Sequence, residues 1–254
     1  MKILIATPLY PPDIGGPATY SKLLLNELTQ RGVAVSVLSF GEVRRWPKII
    51  RHLVYFFKLI KKSHRVDIIF AQDTASVGFP SLWASRILNK RFFVRVPGDY
   101  AWEQATGRFG VYTSIEKFQK IQSGLPWQIN LIRSMQQMVT AAARRVIVPS
   151  NYLRSLCSGW GVSKFRVVTI YNAVHEIQSV SDRERIRQEL NLSGLVVLSV
   201  GRLVPWKGFS TLIQLWPEIV KRHPNARLVI AGNGPDEKSL HELVAAKHLT
   251  DAVR

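Results

Sequence analysis

The stretch LSVGRLVPWKGFSTLI, Leu198 to Ile213, decides how the chain is read. An apolar run stops at Gly201-Arg202, a short turn carries Lys207-Gly208, and a helical pattern follows. Strand, glycine turn and helix is the layout that presents backbone N–H groups to an anion. In open α/β sheets such ligands sit beyond the carboxyl ends of strands. Arg202 stands at the strand's end and Lys207 at the helix's start. Arginine clasps phosphate oxygens through two parallel hydrogen bonds, and lysine adds a point charge. Together they suit a diphosphate held without a metal ion. The competing reading is a pair of solvated cations in a surface loop.

Working outward, the same unit recurs. AGNGPDEKSL (231–240) follows a strand pattern, with Gly232 and Gly234 flanking Asn233 and Pro235 opening a helix. TPLYPPDIGGPATYSKLL (7–24) runs from an apolar strand through Gly15-Gly16 into a helix, with Pro17 suited to its first turn. Glycines in such turns let a ligand approach the backbone closely. The turn is too long for the GxGxxG of dinucleotide folds. Glu42, just past the second strand, nonetheless stands where a ribose-binding acid would, which keeps a nicotinamide-dependent enzyme as an alternative.

Short apolar strands are expected at 2–8, 33–40, 66–73, 91–98, 145–150 and 166–172, mostly separated by helical stretches. That alternation predicts a parallel sheet covered on both faces. A polar helical segment at 181–192 then reads as interdomain, and the pattern restarts with strands at 195–201 and 226–232. Helices are expected at 209–224, broken or kinked by Pro217, and at 235–249. The division predicted is a first domain over 1–175 and a second over 176–254.

Charge divides the same way. Net charge is +18, and residues 1–175 hold 24 Lys+Arg against 8 Asp+Glu, whereas 176–254 hold 11 against 9. The first part therefore faces, or tolerates, something anionic. The one cysteine, Cys157, forms no internal disulfide, so a reducing, cytoplasmic setting is the default. The start has no secretory pattern and no segment is long enough for a membrane span. Six scattered histidines suggest no metal site.

The ordered set TPLYPPDIGGPATY, RVIVPSNYLRS (145–155), VTIYNAV (168–174), SVGRLVPWKGFSTLI and LVIAGNGPDEKSL resembles the GT-B-fold retaining glycosyltransferases of group 1, also called family 4. The resemblance covers the whole chain. It implies a Rossmann-like, acceptor-binding first domain and an incomplete Rossmann-like second domain that binds a nucleotide-sugar as substrate, with no metal or other cofactor. Arg202 and Lys207 match the pair that neutralises the donor diphosphate, and Gly16, beside Gly15, matches the loop glycine near it. Gly232 and Gly234 join the donor-binding set. Asp99, in VRVPGDYAWE, follows the fourth strand where the family places a polar residue near the donor sugar, often a histidine. A turn or helix-capping aspartate is the alternative. The family's paired glutamates would lie past Arg254, so little transferase activity is expected of this chain alone. A truncated, non-catalytic relative acting as a binding or scaffolding module is the other alternative.

RRWPKIIRHLVYFFKLIKKSHR (44–65) holds eight Lys+Arg and no acid, interleaved with aromatic and aliphatic residues. A cationic helix with a wide apolar side can lie in a membrane interface. Arg44, Arg45, Lys48, Arg51, Lys58, Lys61 and Lys62 are the candidates to face anionic lipid; an ordinary helix packed on the sheet is the alternative. No nucleic-acid-binding pattern accompanies the charge. The expectation is thus a peripheral enzyme at the inner membrane face, working on a glycan or lipid-linked acceptor in envelope polysaccharide synthesis.

Overall fold

The computed structural model describes residues 1–173 and 182–254, apart from the side chains of residues 48 and 49. The expected boundary between 175 and 176, and the Lys48 side chain, lie outside the described residues. The chain forms two compact units, Met1–Ala105 with Tyr112–Val174 and Thr106–Val111 with His175–Arg254.

The first unit is built on six parallel strands: β1 (Lys2–Thr7), β2 (Ala34–Ser39), β3 (Ile68–Ala71), β4 (Arg91–Arg95), β5 (Arg145–Val148) and β6 (Val167–Thr169). Their order is β2-β1-β3-β4-β5-β6. The chain leaves β1 in one direction and returns to β3 on its other side. The carboxyl ends of β1 and β3 thus frame a topological switch point, where open α/β sheets bind ligands. The helices are α1 (Gly16–Gln30), α2 (Lys48–Ser63), α3 (Gly78–Ile87), α4 (Tyr100–Phe109), α5 (Ile115–Lys120), α6 (Trp127–Ala142) and α7 (Asn151–Gly159).

Strand alternation splits the core in two. Leu4, Ala6, Leu38, Ile69, Val94, Val146 and Val148 pack with Tyr55 and Leu59 of α2 and with α3, α6 and α7. Ile3, Ile5 and Phe70, with Phe93 and Ile147, meet Leu24 and Leu28 of α1. Helices therefore cover both faces, which is why the strands read as nearly unbroken apolar runs. Local signals set the helix starts. Ser150 accepts from the Leu153 N–H at 3.2 Å to begin α7, and Gly15 followed by Pro17 begins α1.

The second unit contains α8 (Arg183–Glu189), β7 (Val196–Val200), α9 (Phe209–Arg222), β8 (Arg227–Ala231) and α10 (Glu237–Ala246). Strands β7 and β8 are parallel, and a bridge joins Leu228 to Val253. Leu203, Phe209, Ile213, Trp216, Leu228, Leu240 and Val244 form its core. The break expected at Pro217 is not there: α9 runs through it. Proline removes one helical hydrogen bond. Burial of Ile213 and Trp216 before it, and packing of Val220 after it, hold the helix against the sheet.

Candidate functional site

Two loop systems stand at the carboxyl ends of strands. In the second unit, the loop after β7 is laced to the loop after β8. Gly201 N–H donates to Ala231 O at 3.0 Å, Leu203 N–H to Asn233 O at 2.9 Å and Asp236 N–H to Leu203 O at 3.2 Å. Gly232 and Gly234 make this possible. A Cβ on Gly232 would lie 1.8 Å from Gly201 O, and one on Gly234 would lie 2.2 Å from Leu203 O. The space a side chain would take at these two glycines is filled by the neighbouring loop's backbone.

That lacing fixes the loop carrying the cations. Leu203, Val204 and Phe209 are buried anchors, whereas Arg202 and Lys207 are exposed. Neither cation is in an ion pair among the described residues. Lys207 ends a 3-10 turn, Pro205–Lys207. Gly208, at φ 75°, then starts α9 in the left-handed conformation that favours glycine. The first turn of α9 holds no acid, so its positive end is left to two free cations.

In the first unit, the loop after β1 is pinned from several sides. Thr7 Oγ1 donates to Leu9 O at 2.8 Å, and Arg44 forks onto Asp13 at 2.9 and 3.0 Å. Gly15 lies against Leu9, but a Cβ on Gly16 would meet nothing within 4 Å, so Gly16 offers an open approach to backbone. Nearby on β4, Arg95 is buried, with its guanidinium 3.9 Å from the Tyr20 ring centroid and donating to Asn172 Oδ1 at 2.8 Å. Burial pulls the Arg95 pKa below its ordinary value, and Tyr20 opposes the shift. Sequence reading passed over Arg95. Its signal was a cation two residues past Phe93, directly after the apolar run Phe92–Val94.

Asp99 is 2% exposed. Its Oδ1 accepts from the Trp102 N–H at 3.1 Å and from Gln136 Nε2 at 3.1 Å. Gln136 in turn accepts from the Ala101 N–H at 3.0 Å. These contacts are those of the helix-capping alternative, fixing the start of α4 against α6. Glu42 is likewise engaged: it forms a capping box with Ser39 and pairs with Lys58 at 3.1 Å. The nicotinamide alternative loses its ribose acid to this work, and the sheet order also departs from the 3-2-1-4-5-6 order of dinucleotide folds.

The basic helix is α2. Tyr55 and Leu59 are buried, while Ile50, Leu53 and Phe57 form an exposed apolar stripe at helical spacing. Most of the expected lipid-facing cations are already engaged. Arg44 holds Asp13, Arg51 lies 5.6 Å from the Phe40 ring centroid, Lys58 pairs with Glu42, and Lys62 donates to Val37 O at 2.8 Å. Arg45 and Lys61 are left exposed without an ion pair among the described residues. A groove of about 620 Å³ between α2 and the β1–β2 edge adds Lys2 and Arg65 to this cationic side.

Parallel α/β units with glycine turns at their strand ends define a GT-B architecture, the fold of the solved structures this chain resembles. An Anabaena protein crystallised with UDP and glucose superimposes with a TM-score of 0.70 at 20% identity, covering 100% of this chain and 68% of that one. The chain belongs to the glycosyl transferase 4-like family, whose model matches residues 16–173; the glycosyl transferases group 1 model matches residues 181–254. Among curated relatives, an alpha-monoglucosyldiacylglycerol synthase of Streptococcus pneumoniae is 24% identical over 100% of this chain and 60% of its own length. A GDP-mannose-dependent phosphatidylinositol monomannoside mannosyltransferase of Corynebacterium glutamicum is 21% identical over 95% of this chain and 64% of its own length. The chain thus spans less than two thirds of the length of these two relatives.

Proposed function

We propose that this protein transfers a sugar from a nucleotide-sugar to a lipid-linked or glycan acceptor with retention of configuration, in cell-envelope synthesis. The observation that carries the reading is the laced loop after β7, which holds Arg202 and Lys207 exposed and unpaired at the start of α9. A nucleoside diphosphate leaves poorly unless its developing charge is offset. Fixed cations at that position can lower the barrier by about 3–4 kcal/mol for one donor group, judged from well-studied sites. In this reading the second unit takes the donor and the first takes the acceptor. Asp99 acts as a positioning residue through α4. Family membership, and relatives named for diacylglycerol and phosphatidylinositol glycolipids, support a lipid acceptor.

A membrane surface is the proposed source of that acceptor. The exposed stripe Ile50, Leu53 and Phe57, with Arg45 and Lys61 free nearby in the sequence, suits the boundary of an anionic bilayer. Localisation at the inner membrane face follows from that reading. No described helix is long and apolar enough to cross a membrane.

Equilibrium titration with UDP and GDP tests the donor half. Binding of one nucleoside diphosphate is expected, with at least a ten-fold loss in the Arg202→Ala/Lys207→Ala variant. Unchanged affinity in that variant, or preferential binding of NAD, would sink the reading.

A further inference from the structure

The amino ends of the first unit's strands build a surface of their own. Strand β2 ends the sheet and pairs only with β1 among the described residues. Its outer edge therefore carries backbone groups that no strand engages, the template on which another strand can form. Beside that edge runs the groove of about 620 Å³. It is lined by Ile3 of β1, by Ala34, Val35 and Ser36 of β2, and by the last turns of α2 with the turn before β3. The strands are parallel, so this is the end of the sheet opposite the loop of Gly15 and Gly16. About 16 Å of β1 separates Lys2 from Thr7.

Charge in the groove is one-sided. Lys2, Lys58, Lys61, Lys62 and Arg65 line it against a single acid, Glu42. Glu42 is already engaged by Lys58 at 3.1 Å and Lys62 at 4.0 Å. Lys62 also donates to Val37 O at 2.8 Å, which leaves Ala34–Ser36 as the stretch of edge that lines the groove. Lys2, Lys61 and Arg65 are exposed and enter no ion pair among the described residues. Asp67, next to the groove's Val66, lies in the same positive surroundings. The Lys2 N–H first, then charges that include Arg91 and Lys90, hold its pKa below the ordinary value. Pairing this edge with its own copy would set cations against cations. A flat bilayer does not follow a recess, and Lys58 and Lys62 lie about a third of the way round α2 from the stripe of Ile50, Leu53 and Phe57. An extended acidic chain answers both features at once, its backbone to the edge and its carboxylates to the cations.

We propose that this groove docks an extended acidic segment of a partner protein, added as a strand beside β2. Main-chain hydrogen bonds to Ala34–Ser36 give affinity, and carboxylates on alternate residues meet Lys2, Lys61 and Arg65. The docking rests on neither donor binding nor sugar transfer. The opposing account makes these cations guards that keep other strands off an exposed edge.

Fluorescence anisotropy decides between them, with the full chain titrated into a labelled eight-residue peptide of alternating valine and glutamate. Saturable binding is expected, about ten-fold weaker in Lys2→Glu/Arg65→Glu and unchanged in Arg202→Ala/Lys207→Ala. Hydrogen exchange should slow within Ala34–Ser36 when the peptide is bound. The same peptide N-methylated at every peptide bond keeps its carboxylates but donates no backbone hydrogen bond, and it is expected not to bind. Should Lys2→Glu/Arg65→Glu fail to fold, Lys2→Gln/Arg65→Gln answers in its place, with a several-fold loss at unchanged Tm. Absence of saturable binding, equal affinity in the folded variants, or equal affinity for the methylated peptide would overturn the docking site. If the peptide fails to bind while the same variant sediments less with anionic vesicles, the groove belongs to lipid and the proposal is likewise overturned.

Discussion

The two units treat the same raw materials in opposite ways. KILIAT of β1 and VVLSV of β7 are equally apolar strands, yet β1 is buried over Ile3–Thr7, whereas β7 leaves Leu198 63% and Val200 72% exposed. The first unit hides its strand-end cation, Arg95, while the second displays Arg202 and Lys207. The contrast teaches that a strand's composition fixes its tendency to be covered, not what covers it. It also separates two ways of holding a cation. A buried guanidinium is held in one place by its neighbours and bears a standing desolvation cost. Exposed cations bear no such cost and are screened until a ligand displaces water.

The sharpest way to break the comparison is at the laced loops. Gly232→Ala places a methyl against Gly201 O, with no flexible side chain to yield. We expect loss of the second unit's cooperative unfolding, with the first unit's transition kept, read by hydrogen exchange across β7 and β8. Next comes a matched pair of truncations. Leu4→Ala, in the doubly covered sheet, should cost about 2–5 kcal/mol in denaturant unfolding. Leu198→Ala, on the open face of β7, should fall within about 0.5 kcal/mol. An equal cost for both would mean that the second face of β7 is covered in solution. On the surface of the first unit, Leu53→Asp/Phe57→Asp should leave Tm nearly unchanged and reduce sedimentation with anionic vesicles several-fold. Equal binding to neutral and anionic vesicles by the unaltered chain would remove charge from that account.

The smallest expected effect is a pH dependence. Burial, then the charge of Arg51, hold the His52 pKa below its ordinary value. Folding therefore favours neutral His52, and stability is lost as pH falls through the ordinary histidine range toward the lower folded value. Thermal scans from pH 7.5 down to 5.5 should show a slight loss that His52→Gln abolishes.

Much of the fold was legible because the strands are short, apolar and bounded by turn residues. All eight expected strands are present, although the sixth shrinks to Val167–Thr169. The glycine turns were legible as turns. What their missing side chains accommodate was not, because a loop and a ligand ask for the same thing of a glycine. Pro217 does not break α9 because helix propensity is local, while the packing that retains the helix comes from β8 and α10. The basic helix was legible as amphipathic, but four of its expected lipid-facing cations proved to have partners within the first unit, contributed by Asp13, Val37, Phe40 and Glu42.

By itself, the sequence determined the parallel α/β class, the strand-to-helix turns and the placing of Arg202 and Lys207 at one of them. Those follow from periodicity and from the conformational demands of glycine and proline, which act over a few residues. Tertiary structure alone decided which charges are spent. Asp99, Glu42 and Arg44 found partners 3 to 37 positions away, and Arg95 was left with neutral ones. Pairing depends on distance through space and on exclusion of water, and neither is written in the order of residues.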